Sequence, residues 1–586
     1  MKYNLIGNNN YQSDNLLEEI LHNRGITDID SFLNITDDVV PDPYVFTNMD
    51  KAVDLILSHI ENNSTIGVIV DSDCDGITSA SIIYNTIKFY SKDIDIRYFN
   101  HSKKTHGIDE EMIDNEYFKD IDLLIIPDAG SLQYKEHKQV KEQGVKDILV
   151  IDHHPCKELS SYAITVNNQY DNKYTNLSGA GMAYLVCKAL DMECWEDNAN
   201  NYLDLVAIGL IADDMVTIDP IVQYFIRKGL SKIKSPIIQA LIDKQELIQA
   251  LIGKQEFNLK GNLNPIAVSF NIAPMINSVF RIGTIEEKNI MFEAFANIDA
   301  ERKFPYTATR GAKKGITINE SLYEHCARMC LSINSKRKRL SDKMVIPLEE
   351  QIKETDKVIC VQVEEASLGM SGLLANALQH KYGKPTIVWG ITNSKTKDTV
   401  IGSGSLRAST GDFKSRLQKT GLFEFVEGHQ DAAGLQIKLE YLVSNETLRE
   451  FKQKLNEHFK DDVFKKIYTV DFDLPEHDLD FYFIKELYEL KDYYSKSIFE
   501  PLIHISNLKV SVDDILLMGA KQNTIKISSN DFDFIKFKSD IDEWQMLTQN
   551  SKSKMVTINL IGKASMNEYQ GKVTPQIIVE AWERIE

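Results

Sequence analysis

Asp152-His153-His154-Pro155 follows directly on the apolar run Asp147-Ile148-Leu149-Val150-Ile151. Two imidazoles and a carboxylate at the end of a buried-type strand, where the backbone turns, can converge on a metal ion. Three more acidic segments flank this one along the chain. Asp71-Ser72-Asp73-Cys74-Asp75-Gly76 ends the run Ile66–Val70; alternating carboxylates on a tight loop can point several oxygens at one hard cation, and Gly76 lets the backbone turn into a helix. Pro127-Asp128-Ala129-Gly130 ends the run Leu123–Ile126. Ala212-Asp213-Asp214 ends an apolar helix that begins near Leu205, where acids oppose the helix dipole unless a cation is close. Singly, each segment reads as something ordinary: an acidic helix start, a lone strand-end aspartate, a turn with exposed histidines, an unfavourable helix end. Jointly they predict a two-metal phosphodiesterase. Mixed Asp and His donors without thiolate suit Mn2+ or Mg2+ better than zinc. Two such ions about 3.5–4 Å apart can share a carboxylate, activate a water and steady the leaving oxygen of an in-line displacement.

Short apolar strands alternating with helices position these residues. Strands are predicted at 66–70, 94–99, 123–126 and 148–151, with helices at 77–90 and 136–143 between them. That rhythm implies a parallel sheet covered on both faces, with its site beyond the carboxyl ends of the strands. Residues 179 to about 330 read as mostly helical. They include a tandem repeat in which Gln239–Glu246 recurs as Gln249–Glu256, a duplication that lengthens a connector helix. A second α/β pattern begins near 356, and strand follows strand over the last 120 residues, predicting a small β-barrel.

The bulk numbers narrow the field. A chain of 586 residues, 43% hydrophobic and 26% charged, needs several cores. A net charge of -20 argues against coating nucleic acid by bulk attraction, yet leaves room for a local basic groove. Lys336-Arg337-Lys338-Arg339, with Lys313-Lys314 before it, is a candidate. Seven scattered cysteines make no disulfide framework, and Cys326 and Cys330, four apart on a helix, lack two further zinc ligands. A polar N-terminus and no apolar run long enough to span a bilayer lead to the expectation of a cytoplasmic protein without a membrane partner.

In order and spacing, Asp-x-Asp-x-Asp-Gly, Asp-x-Gly, Asp-His-His and Ala-Asp resemble the DHH phosphoesterase superfamily, most closely its RecJ single-strand-specific exonucleases. Ser178–Gly181 and Leu205–Gly209 are similar to the helices flanking the fourth motif, and Ile272–Arg281 to an Ile-Ala-Pro segment. Gly402-Ser403-Gly404-Ser405 and Gly428-His429 resemble the phosphate-gripping motifs of the DHH-associated domain, and the terminal barrel resembles an OB-fold.

This resemblance implies an α/β fold in five parts. They are a helical lead-in at 1–45, a parallel-sheet DHH catalytic domain at 46–235, a helical connector at 236–350, a smaller α/β DHH-associated domain at 351–460 and an OB-like β-barrel at 461–586. It implies two divalent ions, Mn2+ or Mg2+, held by Asp73, Asp75, bridging Asp128, His153 and Asp213. Asp71 would be a further ligand or a supporting carboxylate. His154 would touch the scissile phosphate while Asp152 orients an imidazole. Arg281, Arg407 and His429 would bind substrate phosphate, Asn277 would shape that surface, and the backbone amides of Gly402, Ser403, Gly404 and Ser405, with Gly428, would cradle a terminal phosphate.

The implied activity is digestion of single-stranded DNA, 5′ to 3′, to mononucleotides in recombination or repair. The implied enzyme is a monomer, with a helicase or a single-strand-binding protein as possible partners. The alternatives are a small-substrate phosphodiesterase of the superfamily and a non-catalytic replication scaffold. Several family arginines are missing. Met275 and Phe280 replace an Arg and a Gly of the Ile-Ala-Pro segment, Glu427 replaces the first Gly of Gly-Gly-His, and Asn100-His101 with Lys103 and Lys104 stand where an Asn-Arg pair is usual.

Overall fold

The computed structural model describes residues 1–252, 263–308, 314–393, 400–409, 411–428, 430–459, 467–495, 497–519, 522–529, 532–549, 554–569 and 572–585. The chain forms two compact units, one from Tyr3–Ile333 with Thr469–Glu586, the other from Asn334–Tyr468.

The first unit is built on β1 (Ile66–Val70), α1 (Cys74–Tyr90), β2 (Ile96–Asn100), β3 (Leu123–Pro127), β4 (Asp147–Asp152), β5 (Ile164–Asn167), α2 (Gly179–Cys194) and α3 (Leu203–Ala212). The five strands are all parallel, in the order β2-β1-β3-β4-β5. Their near-continuous apolar sequence follows from burial on both faces. Val68, Val70, Leu123, Ile125, Leu149 and Ile151 face the core that holds α1, α2 and α3. Their alternates Ile69, Leu124, Ile126, Ile148 and Val150 face a smaller core with Met112, Phe118 and Val140. Winding reverses between β1 and β3, so the crevice beyond their carboxyl ends is the switch point of the sheet. The motif loops 71–76 and 127–130 emerge there.

Helices dominate the next stretch, as expected. The helix Pro236–Ile252 carries the first repeat copy and the start of the second; the remainder of that copy, at 253–256, lies outside the described residues. Pro265–Ala267, a π turn at Val268–Ile272 and α4 (Ala273–Ile282) run contiguously. An antiparallel hairpin, Lys303–Thr307 with Thr317–Ser321, interrupts the helical pattern. The long helix α5 (Leu322–Glu349) follows and places Lys336, Lys338 and Arg339 on an exposed face, while Arg337 donates to Asn334 Oδ1. Lys314 is exposed, and Lys313 lies outside the described residues. The thiols of Cys326 and Cys330 lie buried 4.0 Å apart on α5.

The second unit contains β6 (Ile359–Val363), α6 (Ser371–Tyr382), β7 (Thr386–Asn393), β8 (Val400–Arg407), β9 (Phe423–Gly428) and β10 (Ala432–Ile437). Its sheet order is β9-β10-β8-β7-β6, parallel only between β7 and β6.

Seven strands make the C-terminal sheet of the first unit: β11 (Phe472–Pro475), β12 (Ile503–Ser511), β13 (Ile515–Met518), β14 (Thr524–Ser529), β15 (Phe532–Phe537), β16 (Met555–Tyr569) and β17 (Lys572–Arg584). Their order is β11-β12-β16-β17-β15-β14-β13. The N-terminal lead-in shares this core: Leu16, Ile20, Leu21, Ile26 and Phe32 pack with Phe472, Ile484, Ile505 and Trp582. Arg24 makes a bidentate, buried ion pair with Asp471, at 2.5 and 3.1 Å. Trp544 donates to the Ile515 carbonyl and packs on the same core. Among the described residues no helix is long and apolar enough to cross a membrane.

Candidate metal centre

Backbone constraints deliver each acidic side chain to the switch point. Asp73 caps α1, its Oδ1 accepting from Gly76 N at 3.0 Å. Asp128 leaves β3 in the left-handed region, φ +68°, pinned by its N–H to the Ile151 carbonyl of β4 at 2.8 Å. Asp213 is the C-cap of α3. Asp75 anchors α2, accepting from Ser178 Oγ, Gly179 N and Ala180 N at 2.9, 2.6 and 3.1 Å. These approaches require glycine: a methyl on Gly179 would lie 2.3 Å from Asp128 Oδ1, and one on Gly209 2.3 Å from Asp75 Oδ1.

His153 stands at the centre. Its Nε2 is 3.2 Å from Asp128 Oδ1, 3.4 Å from Asp213 Oδ2 and 3.9 Å from Asp75 Oδ2. His153 Nε2 and Asp128 Oδ1 are both buried, and neither has a hydrogen-bond partner among the described residues. Two facing buried polar atoms with no hydrogen bond between them can be satisfied together by a cation. Two donor atoms each about 2.1 Å from one ion at a right angle sit about 3 Å apart, so this spacing suits a divalent cation. Asp75, His153 and Asp213 converge as one potential ligand set, and Asp128, His153 and His154 as a second.

The electrostatics agree. Burial, then the charges of Asp75, Asp73, Asp71 and Asp213, push the Asp128 carboxyl well above the ordinary range. Burial and the Asp75 and Asp73 charges raise Asp213. Burial and the Asp71 charge raise Asp73. Burial lowers His153 and so favours the neutral imidazole a metal needs. His154 behaves oppositely: its Nδ1 lies 2.8 Å from Asp152 Oδ1, and that hydrogen bond raises it to about 9. Burial alone would raise Asp152; the hydrogen bond and charge of His154, the His153 charge and the Ser131 hydrogen bond bring it below the usual range. Asp152 also accepts from the backbone N–H groups of Ser131, His153 and His154. It therefore orients the turn and the His154 ring.

Beside the carboxylates lies a cleft of about 130 Å³ lined by Asp73, Asp75, Asp213, Lys104, Asn277 and Arg281. Asn277 and Arg281, four apart on α4, share a helix face. Asn277 Oδ1 accepts from Cys74 N at 2.9 Å and so fixes the start of α1. Burial, countered by Asp73, lowers Arg281 below its ordinary range. Met275 and Phe280 are buried in the core, so those departures serve packing. The Asn-Arg position is filled differently: Asn100 bonds Asn289, His101 bonds Asp109, and Lys104 reaches the cleft.

Sequence reasoning did not single out His106. Its Nδ1 lies 2.6 Å from Asp71 Oδ2, and Asp71, Asp73 and His106 form a third potential ligand set. The only sequence signal was a histidine beside Gly107, which takes φ +62° just after the second strand.

In the second unit the expected cradle of backbone amides does not form at Gly402–Ser405. These residues lie in the middle of β8, paired with β7 on one side and β10 on the other. A strand flanked on both sides directs its amides alternately to the two neighbours, leaving none for a ligand. Side chains remain: Ser405 Oγ is 2.9 Å from Ser371 Oγ at the start of α6, and the Arg407 guanidinium lies beside Gly372. Gly428 takes φ +126° and its carbonyl accepts from Lys414 Nζ. His429 lies outside the described residues.

Residues 65–210 match the family model described as DHH family, N-terminal domain, which sets the class of this catalytic core. Residues 470–581 match the RecJ OB domain. A prophage-derived protein of Bacillus subtilis strain 168, provisionally named single-strand DNA-specific exonuclease YorK, is 40% identical over 590 residues. That match spans 98% of this chain and 97% of that protein. The single-stranded-DNA-specific exonuclease RecJ of Bacillus subtilis is 25% identical, over 96% of this chain and 67% of its own length. The crystal structure of RecJ from Thermus thermophilus in complex with Mn2+ superposes with a TM-score of 0.69 at 18% identity, over 97% of this chain and 76% of that one. The chain belongs to the RecJ-like single-strand-DNA-specific exonucleases of the DHH family.

Proposed function

We propose that this protein is a metal-dependent exonuclease that hydrolyses single-stranded DNA to mononucleotides, 5′ to 3′. The observation that carries the reading is the facing pair of buried polar atoms, Asp128 Oδ1 and His153 Nε2, ringed by Asp75 and Asp213. Asp75, Asp128, His153 and Asp213 would hold one divalent cation, and Asp73 with Asp128 part of a second. Thermus RecJ structures with Mn2+ and with Mg2+ support either ion. When bound, such ions supply Lewis acidity that makes water nucleophilic near neutral pH and offsets charge on the leaving oxygen.

The chain's own groups do the positioning. His154, held cationic by Asp152, donates to a non-bridging oxygen of the scissile phosphate. Lys104 and Arg281 line the cleft and attract the strand's phosphates toward the carboxylates, against the chain's net charge of -20. Asn277 holds the α1 terminus, and with it Asp73 and Asp75, in register with α4. Ser371, Ser405 and Arg407 supply polar groups for a phosphate in the second unit. A single strand has to be exposed by another activity, so a helicase and a single-strand-binding protein are the partner classes, in recombination or repair. The enzyme works as a monomer.

Asp128→Ala tests the reading with end-labelled single strands and Mn2+ in excess. Loss of digestion supports it, and undiminished digestion refutes it. Labelling the two ends separately reads the direction, and comparing a dinucleotide with a long strand separates this activity from a small-substrate phosphodiesterase.

A further inference from the structure

We propose that His106 is a metal ligand of this centre, held in place by the carboxylate of Asp71. The inference rests on the metal-dependent reading above. Asp71 is 1% exposed and each of its oxygens holds the loop that carries His106: Oδ1 accepts from Gly107 N at 2.8 Å, and Oδ2 faces His106 Nδ1 at 2.6 Å. Metal-binding histidines commonly donate their second ring N–H to a carboxylate, which fixes the tautomer and raises the basicity of the other nitrogen. Donation of Nδ1–H to Asp71 leaves the Nε2 lone pair of His106 for a cation.

A ring held this way fits a metal ligand or a cationic phosphate contact, the role assigned above to His154, and the metal-binding test below separates the two. His154 is likewise held through Nδ1 by a carboxylate, Asp152, that is 1% exposed, and the two imidazoles are similarly open, at 56% for His106 and 55% for His154. His106 is also built into its place. Ile108 N donates to Gln133 Oε1, Gln133 Nε2 donates back to the Ile108 carbonyl, and a methyl on Gly107 would meet Gln133 Oε1 at 2.2 Å. The loop is clamped directly after the ring. Potential donor atoms of Asp71, Asp73 and His106 lie within 4.8 Å of one another. Asp128, whose Oδ1 is buried without a hydrogen-bond partner among the described residues, feels the charges of both Asp73 and Asp71. A cation held by Asp73 and His106 would thus make a further site beside the one centred on His153. His106 would supply the nitrogen ligand of the set that Asp73 belongs to.

Mn2+ binding to the full-length protein decides this without reference to activity. Calorimetry and pulsed electron paramagnetic resonance are run on the wild type, His106→Ala, His106→Gln and Asp71→Asn. The wild type should bind two Mn2+ and show ¹⁴N coupling at both sites, from His153 and His106. Each His106 variant should lose one nitrogen coupling and bind its second Mn2+ at least tenfold more weakly. Asp71→Asn should keep the coupling and weaken that site by roughly 10–100-fold. The exposed ring makes the His106 variants tolerant of substitution, and unchanged unfolding midpoints in EDTA check this. Unaltered Mn2+ stoichiometry, affinity and nitrogen coupling in His106→Ala overturn the proposal, even if its KM for the strand rises, since that pattern assigns His106 to phosphate. A wild type that digests single strands while binding one Mn2+ overturns the proposal alone. A wild type that binds none overturns the parent reading as well.

Discussion

Gly179→Ala tests the metal centre by adding a single methyl group. Built on the existing backbone, that methyl lies 2.3 Å from Asp128 Oδ1, 2.6 Å from its Cβ and 2.7 Å from its Cγ. Ordinary contact begins at 3.4 Å, so the carboxylate or α2 must move by about 1 Å. Asp128 has little room to move, being 3% exposed and fixed in a left-handed backbone by its N–H bond to Ile151. Metal–ligand distances tolerate only about 0.2 Å, so the shift removes Asp128 from any shared coordination. A 1 Å misplacement at a reacting centre costs roughly 100-fold in rate, about 2.7 kcal/mol of barrier. The helix itself should not suffer, because Ala is the better helix former by up to ~1 kcal/mol. We expect Gly179→Ala to fold, to bind Mn2+ at least tenfold more weakly by calorimetry, and to digest end-labelled single strands about 100-fold more slowly. Gly181→Ala, two residues along α2, is the control: its methyl meets the Leu177 Cδ2 side-chain end at 3.1 Å, which can give way. If Gly179→Ala matches Gly181→Ala in metal affinity and rate, Asp128 is not the shared carboxylate and the reasoning fails.

Three further outcomes concern stability. His137 is fully buried with neither ring nitrogen partnered among the described residues, and burial lowers its pKa to about 4. The folded ring stays neutral while the unfolded one charges below 6.5, so up to about 3 kcal/mol of stability is lost as pH falls from 6.5 to about 4. His137→Leu should raise the unfolding midpoint and flatten that acid limb; a variant as acid-sensitive as the wild type refutes the assignment. In EDTA, the raised carboxyls of Asp73, Asp128 and Asp213 mean that the folded state binds more protons than the unfolded one. Metal-free stability should therefore fall as pH rises from the ordinary carboxylate range through neutrality, and Mn2+ should abolish the fall. Thermal unfolding across pH, with and without Mn2+, checks this, and a rising EDTA profile contradicts it. Arg24→Ala strips the buried Asp471 of its bidentate partner, and the Phe499 ring of the cation 3.9 Å from its centre. Denaturant unfolding should show a loss of about 3–5 kcal/mol, and a loss below about 1 kcal/mol would mean the lead-in is not locked to the C-terminal sheet by this pair.

Much of the catalytic core is legible in the chain because burial on two faces leaves a distinctive trace. Strands such as Ile66–Val70 and Leu123–Pro127 have no exposed residue, so their apolar runs stop abruptly and the first polar residue marks the strand end. Other boundaries leave no trace. The helix α5 passes from one compact unit to the other between Ile333 and Asn334, and a continuing helix shows no change of pattern there. The lead-in is amphipathic, yet its sequence does not say that its partner is a sheet more than 400 residues away. At Gly402–Ser405 a loop-like glycine-serine composition occupies the centre of a sheet, because a strand closely flanked on both sides accepts small residues.

The amino-acid sequence alone determined which residue types stand at the strand ends, and hence the class of chemistry: hard oxygen donors with imidazole, and no thiolate. Only the tertiary structure decided which hydrogen bonds each of those donors already accepts. Asp75 gives most of its capacity to the start of α2, Asp71 gives both oxygens to the loop at His106 and Gly107, and Asp128 keeps Oδ1 unspent beside His153. Hydrogen bonds between residues 35 to 105 positions apart set that balance, and no local spacing encodes them.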